Sequence, residues 1–185
     1  MQKCSMALKI KRWKQVSAKT LGKNAYFDYV LETYVLPNGK RVEYYAVRKP
    51  HAANMVGVLD DGRVILVKQY RALFNKISLE IPGGGGGERE RPKTIARREF
   101  EEETGYHPGA VREIGTWATD NSLMDEVIHT FLLTKLKKGK KMHDAVEETE
   151  LVLMTPDEVD RAIADGTIWH GQSIVSWHLA KPYLI

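Results

Sequence analysis

Three glutamates at helical spacing are the first residues in this sequence that could do chemistry. Glu99, Glu102 and Glu103 fall at i, i+3 and i+4, which places three carboxylates on one stripe of a helix. Like charges at that spacing destabilise a helix by about 0.2–0.5 kcal/mol per pair. A hard divalent cation reverses that sign, because Mg²⁺ takes a few carboxylate oxygens together with substrate phosphates. The alternative is a solvated acidic helix face. That alternative leaves the flanking residues unexplained: the glycine run Gly83 to Gly87, the pair Arg97-Arg98 directly before the acids, and Gly105 after them.

The elements around the acids are set to position them. Pro92 suits a first helical turn, where its missing N–H is no loss. Gly105 suits the left-handed position just past a helix end. Between them Ala96 and Phe100 lie four apart on one apolar face. The glycines let the backbone approach a ligand closely, though a flexible linker would also use them.

The pattern formed by Gly84, Glu90, Arg98, Glu99, Phe100, Glu102, Glu103, Gly105 and Tyr106 resembles the Nudix box, and every fixed position of the box is filled. The resemblance implies an α/β fold, the Nudix α/β/α sandwich. It also implies hydrolysis of a nucleoside diphosphate linked to another group, with Mg²⁺ or Mn²⁺ bound by box glutamates. On that resemblance Glu99 and Glu103 hold one ion with the Gly83 carbonyl, and Glu102 shares others. Arg98 orients the carboxylates by bidentate pairing, unless it makes only a plain helix salt bridge. Glu90 supports the loop. Gly83 stands where many members have alanine.

Two segments before the box narrow the branch. Val67-Lys68-Gln69-Tyr70-Arg71 and Leu79-Glu80-Ile81-Pro82-Gly83-Gly84 resemble ADP-ribose and nucleotide-sugar pyrophosphatases. The resemblance makes Arg71 a phosphate clamp, with a surface arginine as the alternative, and adds Glu80 to the substrate-binding set. In that branch an N-terminal β unit is exchanged or packed between two subunits, so a homodimer is implied. Tyr26 and Phe27, with Trp13, are then candidates for stacking on the base, although aromatics in a β unit also serve as core. The branch takes its catalytic base from an acidic loop after the box, here residues 144–150. Glu147 is the first candidate and Glu148 the second, with Glu102 and Arg98 completing the catalytic set. One departure stands out. Asn121, sixteen residues past Gly105, replaces the proline usual in ADP-ribose enzymes, which points to a broader range of nucleotide sugars.

Along the chain, residues 1–50 read as an N-terminal antiparallel β subdomain serving dimerisation and the nucleotide pocket, and 51–185 as the hydrolase domain. Trp13 to Val16 starts the first. Tyr26 to Leu36, rich in aromatic and β-branched residues, and Val42 to Val47 form a hairpin about Pro37-Asn38-Gly39-Lys40. Strands are expected over 55–59, 64–70, 78–82, 111–117, 127–136 and 150–154. Helices are expected from Thr155 through Ala164 and over 171–180. Lys135 to Lys141 reads as a solvated loop about Gly139. His129 and His170 lack metal-ligand spacing and are expected only to pack.

Composition excludes several classes. The 185 residues are 43% hydrophobic and 28% charged, ordinary for a globular protein. No apolar run reaches the roughly 18 residues of a membrane span, and the N-terminus makes a poor signal peptide. One cysteine, Cys4, excludes an internal disulfide framework and reads as an incidental thiol. These features suggest the cytoplasm. The net charge of +4 suits anionic substrates, but the basic run lacks the interleaved aromatics of a nucleic-acid surface. The leading expectation is hydrolysis of nucleoside diphosphate sugars to a nucleoside monophosphate and a sugar phosphate. The alternatives are a diphosphatase on nucleoside triphosphates, dinucleoside polyphosphates or capped RNA, and a non-catalytic nucleotide-binding regulatory module.

Overall fold

The computed structural model describes residues 10–87, 89–139 and 149–184. The chain forms two compact units, one of residues up to Lys49 together with Asp120–Asp125, the other of Pro50–Thr119 with Glu126–Ile185.

The first unit is a three-stranded antiparallel sheet of β1 (Lys14–Lys23), β2 (Asp28–Val35) and β3 (Arg41–Arg48), in that order. The β2–β3 hairpin closes as the sequence predicts, with Gly39 at φ 83° and the Gly39 N–H donating to the Leu36 carbonyl at 2.9 Å. β1 begins within the expected Trp13 to Val16 start and runs on to Lys23, exposed along its whole length. Tyr26 and Phe27 precede β2 instead of belonging to it. The Asn24 Oδ1 accepts from both of their N–H groups, at 2.8 and 2.9 Å, making an Asx turn. Residues 120–125 join this sheet through backbone: the Val47 N–H donates to the Leu123 carbonyl at 2.9 Å. Arg48 bridges Glu32 and Asp125. Among the described residues of the unit only Val30 and Glu32 are buried.

The second unit is an α/β/α sandwich. Its seven-stranded sheet contains β4 (Ala52–Val58), β5 (Val64–Arg71), β6 (Lys76–Glu80), β7 (Gly83–Gly85), β8 (Tyr106–Ala118), β9 (Val127–Lys138) and β10 (Glu150–Met154). The main path is β10-β5-β4-β9-β8, with β6 on β5 and β7 on β4. β4 and β9 run parallel, and the other pairs are antiparallel. Alternation along the strands feeds two cores. Ala53, Met55, Ile65, Phe131 and Leu133 meet Ile95, Ala96 and Phe100 of α1 (Pro92–Thr104). Val56, Val64, Leu66 and Leu132 face the other way. They meet Val159 and Ala162 of α2 (Pro156–Ala164), and Trp177 and Ala180 of α3 (Gly171–Ala180). Thr155 and Glu158 close a capping box on α2.

The basic run differs from expectation. Lys135, Lys137 and Lys138 continue β9, with Lys137 opposite His107 and Lys138 opposite Tyr106. Lys135 has φ 55°, and lysines hide a strand because they add no apolar period.

Candidate metal and diphosphate site

Burial orients α1. Ile95, Ala96 and Phe100 are fully buried, so the helix presses one face on the sheet, while Glu99 and Glu102 stay partly exposed. Gly57 makes this close fit possible, since a Cβ there would collide with the Phe100 ring. Arg91 is extended before Pro92, and Gly105 ends the helix at φ 73°. Glu103 lies one turn past Glu99 and is only 9% exposed.

The glycine run is part of the sheet, not a free linker. Gly83, Gly84 and Gly85 pair with Asn54, Ala53 and Ala52, and the Gly86 N–H donates to the His51 carbonyl at 3.1 Å. Gly84 has no side chain for a concrete reason: a Cβ would occupy the place of the Glu99 carboxylate. A Cβ at Gly86 would meet Ile95.

Arg98 ties loop and helix together. Its Nε and Nη2 donate to the two oxygens of Glu90 at 3.2 and 3.1 Å. Nη1 donates to Glu99 at 2.7 Å and to Glu102 at 3.1 Å. Nη2 also reaches the Gly85 carbonyl at 3.2 Å. The Glu90 hydrogen bonds, with Glu99 adding to them, raise the Arg98 pKa against the opposing effect of burial, and Arg98 in turn holds the Glu90 carboxyl below its ordinary range. Among the described residues no three His, Cys, Asp or Glu side chains are already drawn together as a metal cluster. The donor set nonetheless fits a hard cation. It consists only of oxygens, its stripe would otherwise be self-repelling, and the glycine cradle leaves room where a Cβ would fill it.

A second anchored cation lies at the end of β5. Arg71 donates through Nε to Glu80 Oε1 at 2.8 Å and through Nη2 to Glu80 Oε2. Gln69 Nε2 adds a bond to Glu80 at 3.1 Å. Glu80 is 1% exposed. Burial pushes its carboxyl up, but the Arg71 hydrogen bond and the neighbouring charges outweigh burial and hold it below the usual carboxylate value.

A model of the NUDIX domain matches residues 48–175. The chain belongs to the NUDIX family. This Nudix chain is 30% identical to an ADP-ribose pyrophosphatase of Bacillus subtilis over 167 residues, 86% of its own length and 90% of the relative's. It is 31% identical to the methanol dehydrogenase activator of Bacillus methanolicus over 143 residues, 76% and 77% of the two chains. A crystal structure described as that of an ADP compounds hydrolase shares the fold, with TM-score 0.83, 17% identity and 95% of both chains covered. The protein is thus a Nudix hydrolase.

The structure brings together the Nudix residues Glu90, Arg98, Glu99 and Glu102, and gives Arg71 and Glu80 to each other. Glu80 is held by Arg71, Gln69 and His170. Tyr26, 78% exposed, and Phe27 belong to the three-stranded unit. Glu147 and Glu148 lie outside the described residues. Thr149, just after them in the chain, donates from Oγ1 to the Glu103 carbonyl at 3.2 Å.

Two histidines do more than pack. His129 Nδ1 is 2.7 Å from Glu113 Oε1, and its Nε2 is 3.2 Å from His51 Nδ1. His170 Nδ1 lies 3.0 Å from Ser173 Oγ and 3.2 Å from Glu80. Burial lowers the His170 pKa, and Arg71 makes the two-point hydrogen bond to Glu80. Sequence spacing could not find these partners, because Glu113 and Glu80 reach their histidines only through strand register and the docking of α3.

Proposed function

We propose that this Nudix hydrolase cuts the pyrophosphate bond of nucleoside diphosphate sugars, ADP-ribose among them, to give a nucleoside monophosphate and a sugar phosphate. The observation that carries the reading is Arg98 gathering Glu90, Glu99 and Glu102 against the glycine loop. The sugar-diphosphate substrate is supported by the likeness to the ADP-ribose pyrophosphatase of Bacillus subtilis.

Glu99, Glu102 and Glu103, with the Gly83 carbonyl, would hold Mg²⁺ or Mn²⁺. When bound, such an ion supplies neutralisation of phosphate charge and acidification of a bound water. The chain's own residues do the rest. Arg98 keeps Glu99 and Glu102 from splaying apart in the absence of an ion. Arg71, its fork held at two points by Glu80, offers a preoriented cation to a phosphate oxygen. Glu147, or Glu148 beside it, takes the proton of the attacking water. The anchoring of Thr149 on Glu103 supports that choice, because it ties the chain next to both acids to the metal helix.

Asn121, in the place of the usual proline, lies in the segment joined to β3. We read it as relaxing selection for ADP-ribose alone. We also infer a homodimer in the cytoplasm, with Tyr26 and Phe27 serving the base. The sheet of the first unit is too thin to be stable by itself, with so few buried side chains. Among the described residues no helix is long and apolar enough to cross a membrane.

The test is turnover with Mg²⁺ across ADP-ribose, GDP-mannose, UDP-glucose, a deoxynucleoside triphosphate and a dinucleoside polyphosphate. Hydrolysis of at least one diphosphate sugar, at a kcat/KM above the other two classes, is expected. No turnover of any diphosphate sugar would overturn the proposal. Light scattering checks the dimer, and a monomer at all concentrations contradicts it.

A further inference from the structure

Gly83 and Asn54 face each other across the β4–β7 ladder. A Cβ on Gly83 would lie 2.5 Å from Asn54 Oδ1 and 3.2 Å from the Ala53 carbonyl oxygen. Both distances are shorter than ordinary contact, so the strand pair as built admits no side chain at 83.

Asn54 is not free to swing aside. It is 3% exposed. Its Nδ2 donates to Ser176 Oγ at 3.0 Å and to the Gln172 carbonyl at 3.3 Å, both on α3. Ser176 Oγ is 3.3 Å from Thr130 Oγ1 on β9, which accepts from Trp117 Nε1 on β8 at 3.1 Å. Ser176 and Thr130 are fully buried. A buried polar chain therefore crosses from β8 through β9 and α3 to β4, and ends against the backbone of Gly83. Turning the Asn54 amide would strand buried donors and acceptors along it.

We infer that Asn54 is a positioning residue for Gly83. Its carboxamide, held by Ser176 and Gln172, occupies the space beside the glycine and sets the backbone where the chain enters the metal cradle. The inference rests on reading the Gly83 carbonyl as a metal ligand. It makes the residue at 54 and the residue at 83 a matched pair: asparagine with glycine, or a small side chain with alanine.

A double-mutant cycle tests it with Gly83→Ala, Asn54→Ala and the two combined. Two quantities are read without any nucleotide: the Tm of the metal-free protein, and Mn²⁺ affinity by isothermal titration. Gly83→Ala is expected to lower Tm and to weaken Mn²⁺ binding by about 10–100-fold, the usual range for groups that support a ligand. Asn54→Ala alone is expected to weaken Mn²⁺ binding as well, which a purely structural asparagine would not do. The combined variant is expected to recover part of both losses, since the new methyl enters the space the carboxamide leaves. Additive losses in the combined variant, or Mn²⁺ affinity unchanged in all three, would overturn the inference. An unaltered chain that binds no Mn²⁺ would overturn the metal reading itself. Because no substrate enters either measurement, failure here is separable from failure of the substrate assignment.

Discussion

Arg98 and Glu90 meet as a two-point pair, Nε to one carboxylate oxygen at 3.2 Å and Nη2 to the other at 3.1 Å. The remaining nitrogen of the same guanidinium holds Glu99 and Glu102. A planar fork with fixed donors can do this, and an ammonium cannot. One residue thereby fixes the glycine loop to the helix and spaces two of the three carboxylates.

Arg98→Lys keeps the charge and loses the fork. Mn²⁺ affinity and kcat are each expected to fall about tenfold or more, with little change in Tm because the side chain is partly exposed. Titration calorimetry and steady-state kinetics check this. Unchanged affinity and kcat would mean that the arginine is only a surface ion pair.

Glu103→Gln removes a carboxylate while keeping its shape. On the proposed metal role of Glu103, the lost charge forfeits several kcal/mol of transition-state stabilisation, so kcat should drop by roughly two to three decades. Circular dichroism should show the fold retained. Activity within a factor of about two of the parent would remove Glu103 from the metal set.

The Arg71–Glu80 pair predicts a pH dependence of stability. The folded Glu80 carboxyl is held below its ordinary value of 4.5. Its contribution is therefore complete above that value and is lost as pH falls through the lowered folded value. Glu80→Gln is expected to cost about 1–3 kcal/mol at neutral pH, and the gap to the parent should close as pH drops below 4.5. Urea melts at several pH values measure it. A gap independent of pH would show that the carboxylate charge contributes nothing.

Much of this architecture was legible in the chain. The helix from Pro92 to Gly105, β10 and α3 follow from caps, apolar periods and turn residues, and the filled box points to the family that the domain match shows. What stayed hidden has physical reasons. β1 is exposed throughout and carries only Val16, Ala18 and Leu21 among polar residues and a glycine, too weak a pattern to mark its length. Asp120–Asp125 joins β3 largely through main-chain bonds, which leave no signature in side-chain types. His129 finds Glu113 across a ladder whose register slips between Glu113 and Gly115, and a bulge cannot be placed by counting. Glu80 entered the substrate-binding set through the resemblance of its segment, and its burial against Arg71 and Gln69 could not be read from residue types.

We propose that the bond broken is the pyrophosphate bond within a nucleotide sugar, by residues gathered about Arg98. Phosphorus-31 NMR of ADP-ribose incubated with the protein and Mg²⁺ reads that bond itself. The two diphosphate resonances should disappear together and be replaced by those of AMP and ribose 5-phosphate. They should persist after chelation of the metal, and Glu103→Gln should convert them only at its residual rate. Release of inorganic phosphate, an intact diphosphate with the unaltered protein, or undiminished conversion in the chelated sample would rule this reaction out.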